Sequence, residues 1–170
     1  MGELTASLTT SAMPGLDLAE QCAWQNFLES ALRVYATLNR ALVDGHHLTL
    51  NDVRLLDVLD RSPERSARMG DLADELMSLP SRVTRQIHRL EVLGLARRSS
   101  SPDDKRGVLA TITDEGHELL VAAMTTYGDG VRTHFVRNLS RAQVGAVGEG
   151  CGRLGNALKA HSTPARLGRV

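Results

Sequence analysis

Residues 79–107 read LPSRVTRQIHRLEVLGLARRSSSPDDKRG, and two periodicities meet in them. Val83, Ile87 and Leu90 recur at i, i+4 and i+7, with Leu93 closing the same side. That spacing predicts an apolar helical stripe wide enough to seat on a core. Arg82, Arg85 and Arg89 fall at i, i+3 and i+7 on the opposite side, with Ser81, Thr84, Gln86 and His88 beside them. Pro80 suits a first helical turn, which has no use for its missing N–H, and Gly94 supplies the stop. The helix is expected to run about fourteen residues, near the usual length.

After the helix the pattern changes. Leu95–Ser100 and Val108–Thr113 are short strand-like runs, and SPDDKRG between them is rich in turn formers. An arginine-faced helix followed by a basic β-ribbon is the layout of a winged helix. Its helix enters the major groove of DNA and its ribbon reaches the neighbouring backbone or minor groove. Most charged stripes are solvated faces and nothing more. Here the stripe is nearly of one sign, since residues 81–106 hold seven Lys/Arg against three acids. Short hydrogen-bonding side chains lie among the arginines, and the basic ribbon follows directly. The candidate DNA contacts are therefore Ser81, Arg82, Thr84, Arg85, Gln86, Arg89, Arg97, Arg98, Lys105 and Arg106.

The chain has 170 residues and a formal net charge of zero, which argues against bulk affinity for nucleic acid. Its charge is unevenly spread, however: residues 1–60 carry three arginines against eight acids. A focused basic patch on a neutral protein suits a selective binder, because a uniformly cationic one is titrated by non-specific DNA. The two cysteines, Cys22 and Cys151, are far apart and lack metal-ligand spacing, which fits a reducing cytosol. No basic and apolar leader and no membrane-length apolar run is present, so a cytoplasmic protein without membrane attachment is expected. Phosphate-loop, nucleophile and metal-ligand motifs are missing, so neither an enzyme nor a cofactor or metal is expected.

Working outward, residues 1–15 are expected to form a flexible arm. A long helix follows from Leu16 to Val43, ended by Asp44-Gly45, with Trp24, Phe27, Leu28, Leu32, Tyr35 and Leu38 at threes and fours. His46-His47 then falls in a loop. Thr49 and Asp52 form a capping box for a helix that Arg61-Ser62-Pro63 stops. Glu64–Arg68 reads as a polar link, and Gly70 as the cap of a short helix carrying Leu72, Ala73 and Leu76. With the helix after Pro80, this makes a helix-turn-helix. Beyond Asp114-Glu115-Gly116 a helix runs toward Phe135, and Gly128 and Gly130 inside it suggest a bend or a close helix contact. Ser140 caps a last helix, and a disordered tail ends the chain.

With the ribbon in place, the chain resembles the multiple-antibiotic-resistance regulator (MarR) family over about residues 16–160. The likeness rests on the wing signature D-x-R, five residues, L-T-x-x-G. Here it reads Asp104-Lys105-Arg106, GVLAT, then Ile112-Thr113-Asp114-Glu115-Gly116, with Ile112 standing where the family has Leu. GDLADEL at 70–76 and VTRQIHRLEVLGLARR at 83–98 match the family's second and third winged-helix segments. One position departs, since the family's cap before the recognition helix is here Leu79, with Ser78 one residue early. Either Ser78 caps an extended first turn or the start lacks a cap, at a cost of about 1 kcal/mol.

The resemblance implies a mainly α fold with a small β-ribbon wing. Residues 46–116 would form the DNA-binding winged helix-turn-helix, residues 16–45 and 117–161 the dimerisation helices, and residues 162–170 a flexible tail. It implies a homodimeric regulator, a repressor more often than an activator, on a pseudo-palindromic double-stranded DNA operator. A small phenolic or other effector would release it. Asp104 and Arg106, two apart across a tight turn, would pair and stiffen the wing, with Arg106 at the minor groove. Some members sense peroxide through a first-helix thiol, for which Cys22 is the candidate, although AEQCAWQ supplies an acid and no base. The other reading is a winged-helix module that binds DNA or protein without regulating transcription.

Overall fold

The computed structural model describes residues 13–100 and 107–162. Helix α1 (Leu18–His46) opens on a capping box in which Asp17 accepts from the Glu20 N–H and the Glu20 carboxylate accepts from the Asp17 N–H. It runs through Asp44-Gly45 instead of ending there, and His47 closes it in the left-handed region at φ 56°. His46, expected in a loop, is thus the last helical residue, and its Nε2 shares a 2.7 Å hydrogen bond with Thr126 Oγ1. That tie to a distant helix extends α1 past two residues that locally favour a turn.

Helix α2 (Leu50–Arg61) begins on the expected Thr49–Asp52 capping box and stops at Ser62. A 3-10 turn at Pro63–Arg65 leads into β1 (Ser66–Arg68), where the sequence reads only as a polar link. This strand pairs antiparallel with β3 (Val108–Ile112), which pairs on its other edge with β2 (Ala96–Ser100), in the order β1-β3-β2. Ser66 faces Thr111 in register, and their hydroxyls are hydrogen-bonded at 2.7 Å. Three residues without β-branched or aromatic side chains are too few to show a period of two, so β1 exists by pairing and not by propensity.

Helix α3 (Met69–Glu75) starts one residue before Gly70, and its cap position is Arg68, which makes no side-chain cap. Helix α4 (Pro80–Val92) is the arginine-faced helix, and α5 (Asp114–His134) and α6 (Arg141–Ser162) complete the chain. Thr113 caps α5 through the Gly116 N–H, and Ser140 exchanges a reciprocal pair of hydrogen bonds with Gln143 at the start of α6.

Leu55, Leu56, Leu59, Leu72, Val83, Ile87 and Leu90 are wholly buried in one cluster that α2, α3, α4, the sheet and α5 share. Leu93, expected on that face, is instead about half exposed as the C-terminal cap of α4. Gly130 marks the close contact expected within α5, since a Cβ there would lie 2.5 Å from Leu38 Cδ2 of α1, whereas Gly128 faces open space and α5 remains a single helix. Along α1 only Leu38 and Leu42 are buried, and none of residues 141–159 of α6 is. Trp24 and Phe27, with ring centroids 6.0 Å apart, stand about half exposed on α1 with Leu28, Leu32 and Tyr35. Of the expected arm, residues 1–12 lie outside the described residues, as do 163–170 of the expected tail.

Candidate nucleic-acid interface

The interface is built on α4. Val83, Ile87 and Leu90 anchor its inner face at zero exposure, so the residues between them must point outward. Ser81, Arg82, Thr84, Arg85, His88 and Arg89 are exposed, and Gln86 is half-buried. Leu79 occupies the N-cap with no side-chain hydrogen bond, so of the two alternatives at this start the uncapped one holds, with Pro80 in the first turn. The Ser81 N–H thereby lacks a side-chain acceptor, while the Arg82 N–H donates to the Leu79 carbonyl at 2.9 Å.

Both ends of the helix-turn-helix are closed by the same hydrogen-bond pattern. After α4, the Leu95 N–H donates to the Leu90 carbonyl and the Gly94 N–H to the Glu91 carbonyl, with Gly94 at φ 74°. After α3, the Ser78 N–H donates to the Ala73 carbonyl and the Met77 N–H to the Asp74 carbonyl. There the left-handed position is Met77 at φ 48°, a conformation that costs a residue with a Cβ about 1 kcal/mol or more.

The three arginines of the stripe do not share one fate. The Arg82 and Arg85 side chains make no hydrogen bond or ion pair among the described residues. Arg89 turns back toward α2, where its Nη1 pairs with the carboxylate of Asp52 and its Nη2 donates to the His47 carbonyl at 3.0 Å. Asp52 is 2 % exposed and also accepts from the Thr49 N–H, the Thr49 hydroxyl and, at 3.4 Å, Gln86 Nε2. A buried carboxylate met by a guanidinium and several neutral donors satisfies the charge that burial would otherwise penalise. Arg89 and Gln86 thus bind α4 to the first turn of α2. Thr84 donates its hydroxyl to the Pro80 carbonyl at 2.9 Å.

On the ribbon, Arg97 is exposed and makes no ion pair among the described residues. Arg98 is held by Glu91 of α4, which accepts from its backbone N–H at 2.9 Å and from its Nε at 2.7 Å. The base of the ribbon is fixed to α5 as well. Thr113 donates its hydroxyl to the Gly94 carbonyl and its N–H to the Leu95 carbonyl. A Cβ on Gly116 would overlap that same Leu95 carbonyl oxygen and lie 2.9 Å from Ile112 Cγ1. The glycine that closes the wing signature is therefore a close-approach residue.

The sequence profile of the MarR family matches residues 46–107, which is α2 to the end of the first ribbon strand and its connection. AbsC from Streptomyces coelicolor, a MarR family transcriptional regulator, is 30% identical over 87% of this chain and 99% of its own, with a TM-score of 0.80. Sco3205 from the same organism, solved in complex with DNA, is 32% identical over 89% of this chain and 96% of its own, with a TM-score of 0.81. The chain belongs to the MarR family. A mutant MarR from E. coli in complex with operator DNA, 20% identical over 82% of this chain and 99% of its own at a TM-score of 0.71, shares the fold. No curated protein matches the sequence.

Asp104, Lys105 and Arg106 of the MarR wing signature lie outside the described residues. Of the MarR recognition-helix candidates, Ser81, Arg82 and Arg85 stand outward and unpaired, while Arg89 and Gln86 are turned inward. Cys22 and Cys151 are exposed free thiols on α1 and α6, and neither makes a hydrogen bond among the described residues. Among the described residues no helix is long and apolar enough to cross a membrane.

Reading the sequence missed two residues of this face. Asn51 and Arg54 of α2 line a cleft of about 160 Å³ with Leu76, Met77, Ser78, Arg82 and Gln86. Their i, i+3 spacing on α2 is the only sequence signal, and two polar residues on an amphipathic helix do not separate a binding face from a solvated one.

Proposed function

We propose that this MarR-family protein is a sequence-specific transcriptional regulator, a repressor that binds a pseudo-palindromic operator as a homodimer and is released by a small ligand, a phenolic being the first candidate. The carrying observation is the outward face of α4, where the Arg82 and Arg85 side chains stand unpaired near Ser81 in sequence, with Arg97 exposed on the ribbon. On this reading residues 46–116 bind DNA, with the wing arginine Arg106 at the minor groove and Asp104 supporting it. The solved complex of Sco3205 with DNA supports double-stranded DNA as the partner.

Dimerisation is supported by what a single chain leaves bare. A 22-residue helix with no buried side chain through residue 159, and the apolar first half of α1, are left uncovered by the described residues of their own chain. Two-fold symmetry then sets the recognition helices about one turn of DNA apart. Leu32→Asp, at a site 59 % exposed on α1, is expected to shift the sedimenting species from dimer to monomer at micromolar concentration and to abolish operator binding. A dimer that survives this charge places the interface elsewhere.

The test of function is fluorescence-anisotropy titration with the chain's own upstream DNA and with a scrambled duplex, at low and near-physiological salt. Tight binding to the upstream duplex alone, retained at the higher salt, is the expected result. Equal, salt-labile binding to both duplexes would leave a winged-helix module without operator readout. Release by peroxide in place of a phenolic, lost in Cys22→Ser, would move the trigger to the thiol.

A further inference from the structure

The geometry points to the cleft between α2 and the turn before α4 as a second DNA-backbone site, in which Arg54 and Arg82 grip one phosphodiester outside the groove that α4 reads. This rests on the regulator reading above and adds to it a contact made from a different helix.

Three observations meet in the cleft. Its lining includes two arginines from different helices, Arg54 of α2 and Arg82 of α4, and no carboxylate. Neither arginine's side chain has an ion pair or hydrogen bond among the described residues, whereas Arg61 on the same α2 is paired with Asp57 at 2.8 Å. Two unneutralised cations lining one concavity raise its local positive potential, which an anion relieves. Asn51 and Ser78 add neutral donors suited to phosphate oxygens, beside the uncapped start of α4.

Part of the lining is apolar. Leu76 and the 78 % exposed Met77 line the cleft with the arginines. An apolar wall beside an anion site suits a deoxyribose joined to its phosphate better than a free inorganic anion, which has no surface to place there. The two walls are also held at a fixed separation. Asp52, one residue from Asn51 and two from Arg54, takes Arg89 and Gln86 of α4, so the helix that carries Arg82 is fastened to the helix that carries Arg54. The same pairing neutralises Arg89. The arginine at the far end of the stripe is thereby withdrawn from the phosphate contacts, and Arg54, which belongs to no stripe, replaces it.

The experiment is an anisotropy salt series on the full chain with its operator duplex. Arg54→Gln is expected to weaken binding roughly tenfold and to flatten log K against log[salt] by about 0.9 per protomer, as one lost phosphate contact does. Arg54→Lys keeps the charge and is expected to keep the slope. Arg61→Gln removes an equal charge from the same helix and is expected to change neither quantity. Replacing single phosphates of the duplex with neutral methylphosphonates should reveal one position per half-site that costs the wild-type protein affinity and costs Arg54→Gln nothing further. An unchanged slope in Arg54→Gln, or an equal change in Arg61→Gln, overturns the site. Displacement of DNA by inorganic phosphate beyond that by chloride at matched ionic strength would make it a free-anion site and overturn the assignment to DNA. Failure of the wild-type protein to distinguish operator from scrambled duplex would remove the regulator reading alone, because the Arg54 slope can still be read on either duplex.

Discussion

Replacing Asp52 by Ala tests the link that joins the reading helix to the rest of the fold. The substitution removes the acceptor of the Thr49 N–H and hydroxyl, the ion-pair partner of Arg89 and a weak acceptor of Gln86. Thr49 still accepts from residue 52's own N–H, so only half of the capping box is lost, about 0.5 kcal/mol. Breaking a fully buried ion pair costs about 3–5 kcal/mol, but the Arg89 side chain is 44% exposed and regains water when released. That reduces the pair's share to roughly 1–2 kcal/mol. Together the loss is about 2 kcal/mol, or a fall in Tm of roughly 4–8 °C for a chain of this size. Urea denaturation at fixed protomer concentration measures it, since assembly contributes to the apparent stability. A double-mutant cycle with Arg89→Met should return a coupling of about 1–2 kcal/mol. A coupling near zero would refute the clamp and return Arg89 to the set of side chains free to meet DNA.

Two further substitutions test the local geometry. Gly116→Ala is expected to destabilise the fold by about 2 kcal/mol or more, because its Cβ has to displace backbone at Leu95 and the side chain of Ile112; thermal melting at the wild-type midpoint would show no such packing if the loss stayed under 0.5 kcal/mol. Met77→Gly relieves a left-handed conformation at an exposed position and should raise stability by about 0.5–1 kcal/mol in the same denaturation assay, whereas a decrease would mean that the Met77 side chain contributes packing.

Much of this architecture is legible in local patterns, and the exceptions have a common cause. Helix α4 announces itself through Val83, Ile87 and Leu90, and Gly94 fixes its end, because periodicity and a left-handed stop act within a few residues. The Thr49–Asp52 box and the Ser140 cap are equally local. Strand β1 is invisible because the strand it pairs with, β3, lies some forty residues later, and α1 overruns Asp44-Gly45 because Thr126 holds His46. The same limit divides the candidate site. Arg82, Arg85 and Arg89 look equivalent on a helical wheel, yet the residue that separates them, Asp52, lies 37 positions before Arg89. Arg54 escapes notice for the converse reason, since its companion Arg82 belongs to another helix.

The first turn of α5 is fastened on several sides: to the base of the ribbon through Thr113, which meets Gly94 and Leu95, and through the close approach at Gly116, and to the end of α2 through Arg65, which bridges Asp60 and Asp114 while Asp60 also holds His117. Mechanically this makes α5 a lever welded to the wing at one end. At 21 residues the arm is about 32 Å long, so a tilt of ~5° about its first turn sweeps the far end through roughly 3 Å. Read in the other direction, a displacement of a few ångströms near His134, the scale of a side-chain rearrangement, rotates the base of the ribbon as a rigid body. A stiff arm of this kind transmits a displacement without any change in secondary structure along its length, as long as the joint at Thr113 and Gly116 holds.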